Sequence, residues 1–245
     1  MLIGGLYVKN KQIVADYSEY LGPDWERTYE GHCSTVSNHV SWWDIIVHMS
    51  QTQVCFTAKA GTLKLPFIGA VSKMIGCLYF DRGSKDSKQQ VMKQMEERFK
   101  LIEKGLYPPL IMNAEGGTTN GRYIIKFKKG AFVGNYPCKP VVLKYHSPHV
   151  DLEQCVMPIY MHIILSSMNI GGHVEYLEFP VFKPNEYFFK HHQREGEEQW
   201  ETYARVIREI MAKGSGLKLS DASIEDKFEY KKVLFGKGMK GSATD

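Results

Sequence analysis

Apolar positions along this chain recur with two different periods, and the switches between them mark its elements. Residues 33–51, "CSTVSNHVSWWDIIVHMSQ", begin strand-like and turn helical, with Ser37 or Asn38 as the expected N-cap. From 54 to 80, short apolar runs alternate with Gly and Pro. They predict a strand at 54–57, a Pro-broken helix at 66–75 and a strand at 77–80. The clearest helix lies in "SKDSKQQVMKQMEERFKLIEKG". Met92, Met95, Phe99 and Ile102 recur there at helical spacing, Ser84 or Asp86 can cap it, and Gly105 stops it. "YPPLIMNAEGG" reads as a Pro-started strand ending in a Gly turn, and residues 140–145, "PVVLKY", as a short buried strand. Two late helices follow, one with Trp200, Ala204, Ile207 and Met211 on one face, the other in "SDASIEDKFEYKKVLFG". Strands alternating with helices predict an α/β sandwich, a mixed and mostly parallel sheet flanked by helices, with ligands beyond the strand ends.

Residues 156–172, "VMPIYMHIILSSMNIGG", carry only His162 among ionisable side chains. They fit a buried helix, or one lying in or dipping into a bilayer. Their length favours burial, and no segment has the eighteen uninterrupted apolar residues of a clear spanning helix. The N-terminus lacks a basic stretch and a long apolar core, so it is not read as a signal peptide. Across 245 residues no repeat, low-complexity run or long linker appears. One domain over 1–245 is expected, with core motifs in 33–145 and a C-terminal helical part in 150–245. A net charge of +4 is too mild to argue for nucleic acid, but it suits a surface facing anionic lipid or a phosphorylated substrate. Five cysteines with no C-x-x-C argue against a disulfide framework or a zinc knuckle and for a reducing compartment.

Candidate chemistry starts at "SNHVSWWD", residues 37–44. On one continuous helix five residues turn about 500°, leaving His39 and Asp44 about 140° apart. Contact therefore needs His39 in the cap, with Asp44 folding back from the first turn. The pair then reads as a base oriented by a carboxylate, or as a capped helix with a hydrogen-bonded histidine. His146 and Asp151 share the spacing, but Pro148 intervenes and the segment reads as a surface loop. Arg82 sits just past a strand end, where a guanidinium suits phosphate or an ion pair with Asp81 or Asp86. "AEGGTTNG", residues 114–121, is a loop that can approach a polar ligand closely, or a plain turn; it is not a P-loop. "KFKKGAF", residues 126–132, places three lysines beside aromatics, for lipid headgroups or for water.

The order of these pieces resembles the glycerophospholipid acyltransferase family. The family's N-H-x4-D matches Asn38-His39…Asp44, and its lysine-bearing segment matches "AKAGTLKLPFIG", picking out Lys59. Its G-x2-F-[IF]-D-R looks like "GCLYFDR" with Arg82, its F-P-E-G-T like "NAEGGT" with Glu115 and Gly116, and its fourth motif like "PVVLKY". "EGGTTNGRYIIKFKKGAF" and the tail "VEYLEFPVFKPNE" are most similar to the lysophosphatidylcholine and lysophosphatidylethanolamine branch. Ala114 stands for the motif's proline and Gly117 for its threonine, which implies a looser or displaced backbone around Glu115. The resemblance would place the family's usual spanning helix before the first motif, ending near where this chain starts. The expectation is either that it is lost or that membrane binding rests on other surfaces, such as residues 156–172. The EF-hand extension of some relatives is not expected either.

The resemblance implies a glycerolipid-acyltransferase-like sandwich and acyl transfer from acyl-CoA to the hydroxyl of a lysophospholipid. His39 would be the general base and Asp44 its orienting partner, with no acyl-enzyme. Lys59 and Arg82 would hold the acceptor phosphate. Glu115 and Gly116 would contact the acceptor glycerol or shape its pocket, and backbone N–H groups near the first motif would stabilise the oxyanion. Acyl-CoA is a co-substrate; no cofactor or metal is implied. The expected setting is a membrane surface of the endoplasmic reticulum or mitochondrion. The altered third motif also motivates a second reading, a degenerate fold serving as a lipid-binding structural subunit beside other subunits of a membrane complex. A thioesterase would leave Lys59 and Arg82 without a phosphate to hold.

Overall fold

The computed structural model describes residues 2, 3, 5–64, 68–80 and 85–236. Among them run β1 (Leu2–Ile3), β2 (Leu6–Gln12), α1 (Ser18–Leu21), β3 (Ser34–Ser37), α2 (Trp43–Gln51), β4 (Cys55–Lys59), α3 (Ile68–Met74), β5 (Leu78–Phe80) and α4 (Lys85–Glu103). They continue with β6 (Leu110–Asn113), β7 (Tyr123–Ile124), β8 (Cys138–His146), α5 (Ile159–Ser167), β9 (Gly172–Glu178), α6 (Glu186–His192), α7 (Gln199–Ser215), β10 (Lys218–Leu219) and α8 (Ile224–Phe235). Eight strands form one sheet in the order β1-β2-β9-β8-β3-β6-β4-β5, and β7 and β10 pair separately. The run from β8 through β3, β6, β4 and β5 is parallel, β8 and β9 are antiparallel, and β2 joins β9 in parallel. The expected mixed, mostly parallel sheet is thus present.

Period-two alternation assigns β8 to two cores. Val141, Leu143 and Tyr145 pack with Leu6, Val8, Val174, Tyr176 and the α2 residues Trp43 and Val47. Val142 joins the opposite cluster, where Met95, Phe99 and Ile102 of α4 and Tyr203, Ile207 and Met211 of α7 meet Val36, Leu110 and Met112. Helices therefore cover both faces. The apolar stripe of α4 is its buried side, and Gly105, at φ +71°, ends it by donating to the Ile102 carbonyl at 2.7 Å. Of its two expected caps, Asp86 falls inside the helix and Ser84 lies outside the described residues.

Three expectations change. The helix after the first motif starts at Trp43, not just past Ser37 or Asn38. Asn38 is instead buried and doubly bonded to the Leu143 main chain, donating to its carbonyl at 3.0 Å and accepting its N–H at 2.8 Å. The C-terminal part is not all helical, because β9, "GHVEYLE", inserts between β2 and β8. Its alternation serves both faces: Val174 and Tyr176 pack with Leu6 and Val8 in one core, and Leu177 joins the other.

The favoured burial of 156–172 also fails. The inward side of α5 is polar: His162 Nε2 meets the Leu152 carbonyl at 3.1 Å, and Ser166 Oγ accepts from Trp42 Nε1 at 2.8 Å. The apolar residues of α5 and of the segment just after it face out, with Tyr160, Ile164, Met168 and Ile170 exposed at 60%, 61%, 68% and 77%. Polar anchoring has turned the apolar side to the surface. No helix among the described residues is long and apolar enough to cross a membrane.

Candidate active site

Parallel pairing brings the candidate residues to one edge of the sheet. β3, β6, β4 and β5 end on the same side, and the candidates follow those ends. His39 lies two residues past β3 and Glu115 two past β6, while Lys59 closes β4 opposite Phe80 of β5. Arg82 follows β5 by two positions and lies outside the described residues. This edge is where the crevice beyond strand C-termini binds ligands in open α/β sheets.

His39 lies outside α2, and Asp44 folds back to it from the first turn. Nδ1 of His39 and Oδ2 of Asp44 are 2.7 Å apart. Oδ2 also accepts the N–H of Val40 at 2.7 Å and of Ser41 at 3.1 Å, so the aspartate gathers the chain ahead of its own helix. Oδ1 accepts the Tyr145 hydroxyl at 2.6 Å. The Asp44 side chain is 1% exposed and that of His39 20%. A carboxylate with four donors out of water is held in one rotamer. With Nδ1 engaged, Nε2 is the nitrogen placed to exchange a proton with a ligand.

Glu115 lies behind His39. It is fully buried, with Oε2 accepting the His39 N–H at 2.8 Å and Oε1 the Ile125 N–H at 3.1 Å. Burial pushes its carboxyl up to about 8; those two N–H bonds pull it down, and nearby Asp44 raises it further. The side chain thus braces the histidine loop from within. The N–H groups of His39, Val40 and Ser41 are all committed to carboxylates, so the expected oxyanion donors are not these three.

The backbone around Glu115 is not loosened by the altered third motif. Ala114 donates its N–H to the Ser37 carbonyl at 3.1 Å, a bond proline could not make. Thr119 N–H reaches the His39 carbonyl at 2.7 Å. Gly116 turns at φ +83°, a left-handed conformation that suits glycine. A Cβ at Gly117 would lie 2.8 Å from Ile224 Cδ1, so α8 fills the space that a threonine there would need.

His39, Asp44 and Glu115 come together at one edge, and the Acyltransferase family profile matches residues 11–144. The chain belongs to the acyltransferase family. It is 34% identical over 203 residues to the lysophospholipid acyltransferase LPEAT1 of Arabidopsis thaliana, covering 82% of this chain and 49% of that protein. It is 28% identical over 196 residues to a lysophosphatidylcholine acyltransferase of Drosophila melanogaster, covering 78% of this chain and 34% of that one. The chain therefore spans half or less of the length of these relatives. A crystal structure of the 1-acyl-sn-glycerophosphate acyltransferase PlsC from Thermotoga maritima superposes with a TM-score of 0.52 at 15% identity, over 86% of this chain and 71% of that one. That likeness shows the fold.

In this acyltransferase-family fold the second His–Asp spacing straddles the end of β8: His146 is the last residue of the strand, and only Asp151 lies in the expected loop. His146 stacks on His173 at 4.6 Å and faces Glu175 at 3.5 Å, while Asp151 is exposed. Tyr145 went unnoticed in the sequence. Its signal is the period of β8, which puts it on the face of Val141 and Leu143, at the strand end beside the first motif.

Proposed function

We propose that this chain is the catalytic part of an acyl-CoA-dependent O-acyltransferase that moves a fatty acyl chain onto the hydroxyl of a lysophospholipid. The observation that carries this reading is the 2.7 Å contact of His39 Nδ1 with Asp44 Oδ2, in a chain of the acyltransferase family. Nε2 of His39 takes the proton of the acceptor hydroxyl as that oxygen attacks the thioester carbonyl. A C–O bond forms, the C–S bond breaks, and the leaving thiolate takes the proton back from the imidazolium. Asp44 fixes the tautomer and stabilises the imidazolium. Lys59 and Arg82 hold the acceptor phosphate, and Gly116 lets the backbone come close to the acceptor. Glu115 serves by shaping the pocket, in keeping with its burial behind His39.

The acceptor is a membrane lipid, and the outer face of α5 supports a membrane surface as partner. Tyr160, Ile164, Met168 and Ile170 form an apolar stretch of the kind monomeric soluble proteins rarely expose. The bond between Trp42 and Ser166 ties that helix to the loop carrying His39. An endoplasmic-reticulum or mitochondrial membrane provides the setting.

Incubation of the purified chain with labelled acyl-CoA and a panel of lysolipids tests the proposal. Turnover supports it. Absence of turnover, together with bound phospholipid and stable partner subunits, favours a structural lipid-binding subunit of a membrane complex.

A further inference from the structure

Asp44 divides its two oxygens between separate tasks. Oδ2 takes His39 and the two main-chain donors. Oδ1 takes Tyr145 alone among the described residues. We propose that Tyr145 is a positioning residue for the acyl transfer, its hydroxyl fixing Asp44 Oδ1 and so setting the geometry and charge with which Oδ2 meets His39. The proposal rests on His39 acting as the general base.

Burial is the first argument. Asp44 is 1% exposed, so water does not replace a missing donor on Oδ1 without opening the site. The direction of the bond is the second. Burial, with the Asp44 charge beside it, holds the Tyr145 phenol well above its ordinary range. The tyrosine keeps its proton, and Asp44 is the acceptor.

Register is the third argument. Two residues before Tyr145, the Leu143 main chain is clamped by Asn38, the residue just before His39. Asn38 to Leu143 and Asp44 to Tyr145 are two rungs locking the histidine loop to β8. A donor on Oδ1 also draws negative charge away from Oδ2 and moderates its pull on the imidazolium.

Replacing Tyr145→Phe removes the hydroxyl and keeps the ring. The expected result is a kcat about tenfold lower, the usual size for one lost hydrogen bond to a charge. KM for both substrates stays constant. The acid limb of the kcat/KM profile moves to higher pH, because a less stabilised Asp44 favours the imidazolium more strongly. Glu115 behind His39, and His48 and His162 near Asp44, face the same pair and stay in place in both proteins. The difference therefore isolates Tyr145.

In an Asp44→Asn background, Tyr145→Phe is expected to add no further loss. An unchanged kcat and pH profile overturns the proposal, and so does an equal loss in the Asp44→Asn background. If Tyr145→Phe does not fold, 3-fluorotyrosine at 145 keeps the shape and strengthens the donor. It should shift the acid limb to lower pH, and no shift is again fatal. Imidazole nitrogen shifts of His39, read by NMR across pH without substrate, should move in the same directions whether or not the chain turns over. They separate failure of this coupling from failure of the enzymatic reading.

Discussion

Glu115→Gln distinguishes a buried brace from a solvent-facing ligand. The wild-type carboxyl has no exposure and accepts main-chain N–H groups on both oxygens. Glutamine keeps one oxygen and sets an NH2 against the other donor, leaving a buried N–H unsatisfied at about 1–3 kcal/mol. A second effect runs with pH. The folded carboxyl is pushed up to about 8 from 4.5, mainly by burial. Between those values the folded chain holds a proton that the unfolded chain has released, so wild-type stability falls as pH rises. One such group contributes up to about 1.4 kcal/mol per pH unit, or roughly 4 kcal/mol from pH 5 to pH 8. The variant lacks this dependence. It should be less stable than wild type near pH 5, by about 2 kcal/mol, and as stable or more stable near pH 8. His48, held down to about 4 by burial, opposes the trend by gaining stability as pH rises from 4 to 6.5, but it is common to both proteins and cancels in the difference. Urea unfolding followed by circular dichroism at pH 5, 6, 7 and 8 gives both curves. Parallel curves would refute a buried, proton-holding Glu115.

Gly117→Thr restores the family's threonine but drives its Cβ into Ile224, 2.8 Å away. A loss of about 1–3 kcal/mol is expected, read as a lower melting temperature, and an unchanged value would mean that α8 does not pack there. Ile164→Asp alters an exposed site on α5, so the melting temperature should hold. Co-sedimentation with phosphatidylcholine vesicles should drop about tenfold or more, and undiminished binding would remove α5 from the membrane contact.

Local patterns in the sequence were enough for the helices α4 and α7, because each shows one apolar stripe with a clear start or stop, whereas α8 buries only Ile224. Motif order placed His39, Asp44 and Glu115 at one edge, since parallel strands end on a common side. The misses were tertiary. The outward turn of α5 depends on Trp42, more than a hundred residues before it, as well as on nearby Leu152. The fit of Gly117 depends on Ile224, more than a hundred residues later. Tyr145 reaches Asp44 only because β8 lies beside β3. Lys59 marks the end of β4 as the motif order suggests, whereas Arg82 lies outside the described residues.

The central claim is that His39 removes the acceptor proton. Purified wild type and His39→Ala, each given labelled acyl-CoA and lysophosphatidylethanolamine or lysophosphatidylcholine, test it most directly. Labelled phospholipid is expected from the wild type, with a loss of about 10²–10⁴-fold in the variant, at an unchanged melting temperature. Transfer by His39→Ala at the wild-type rate would contradict it.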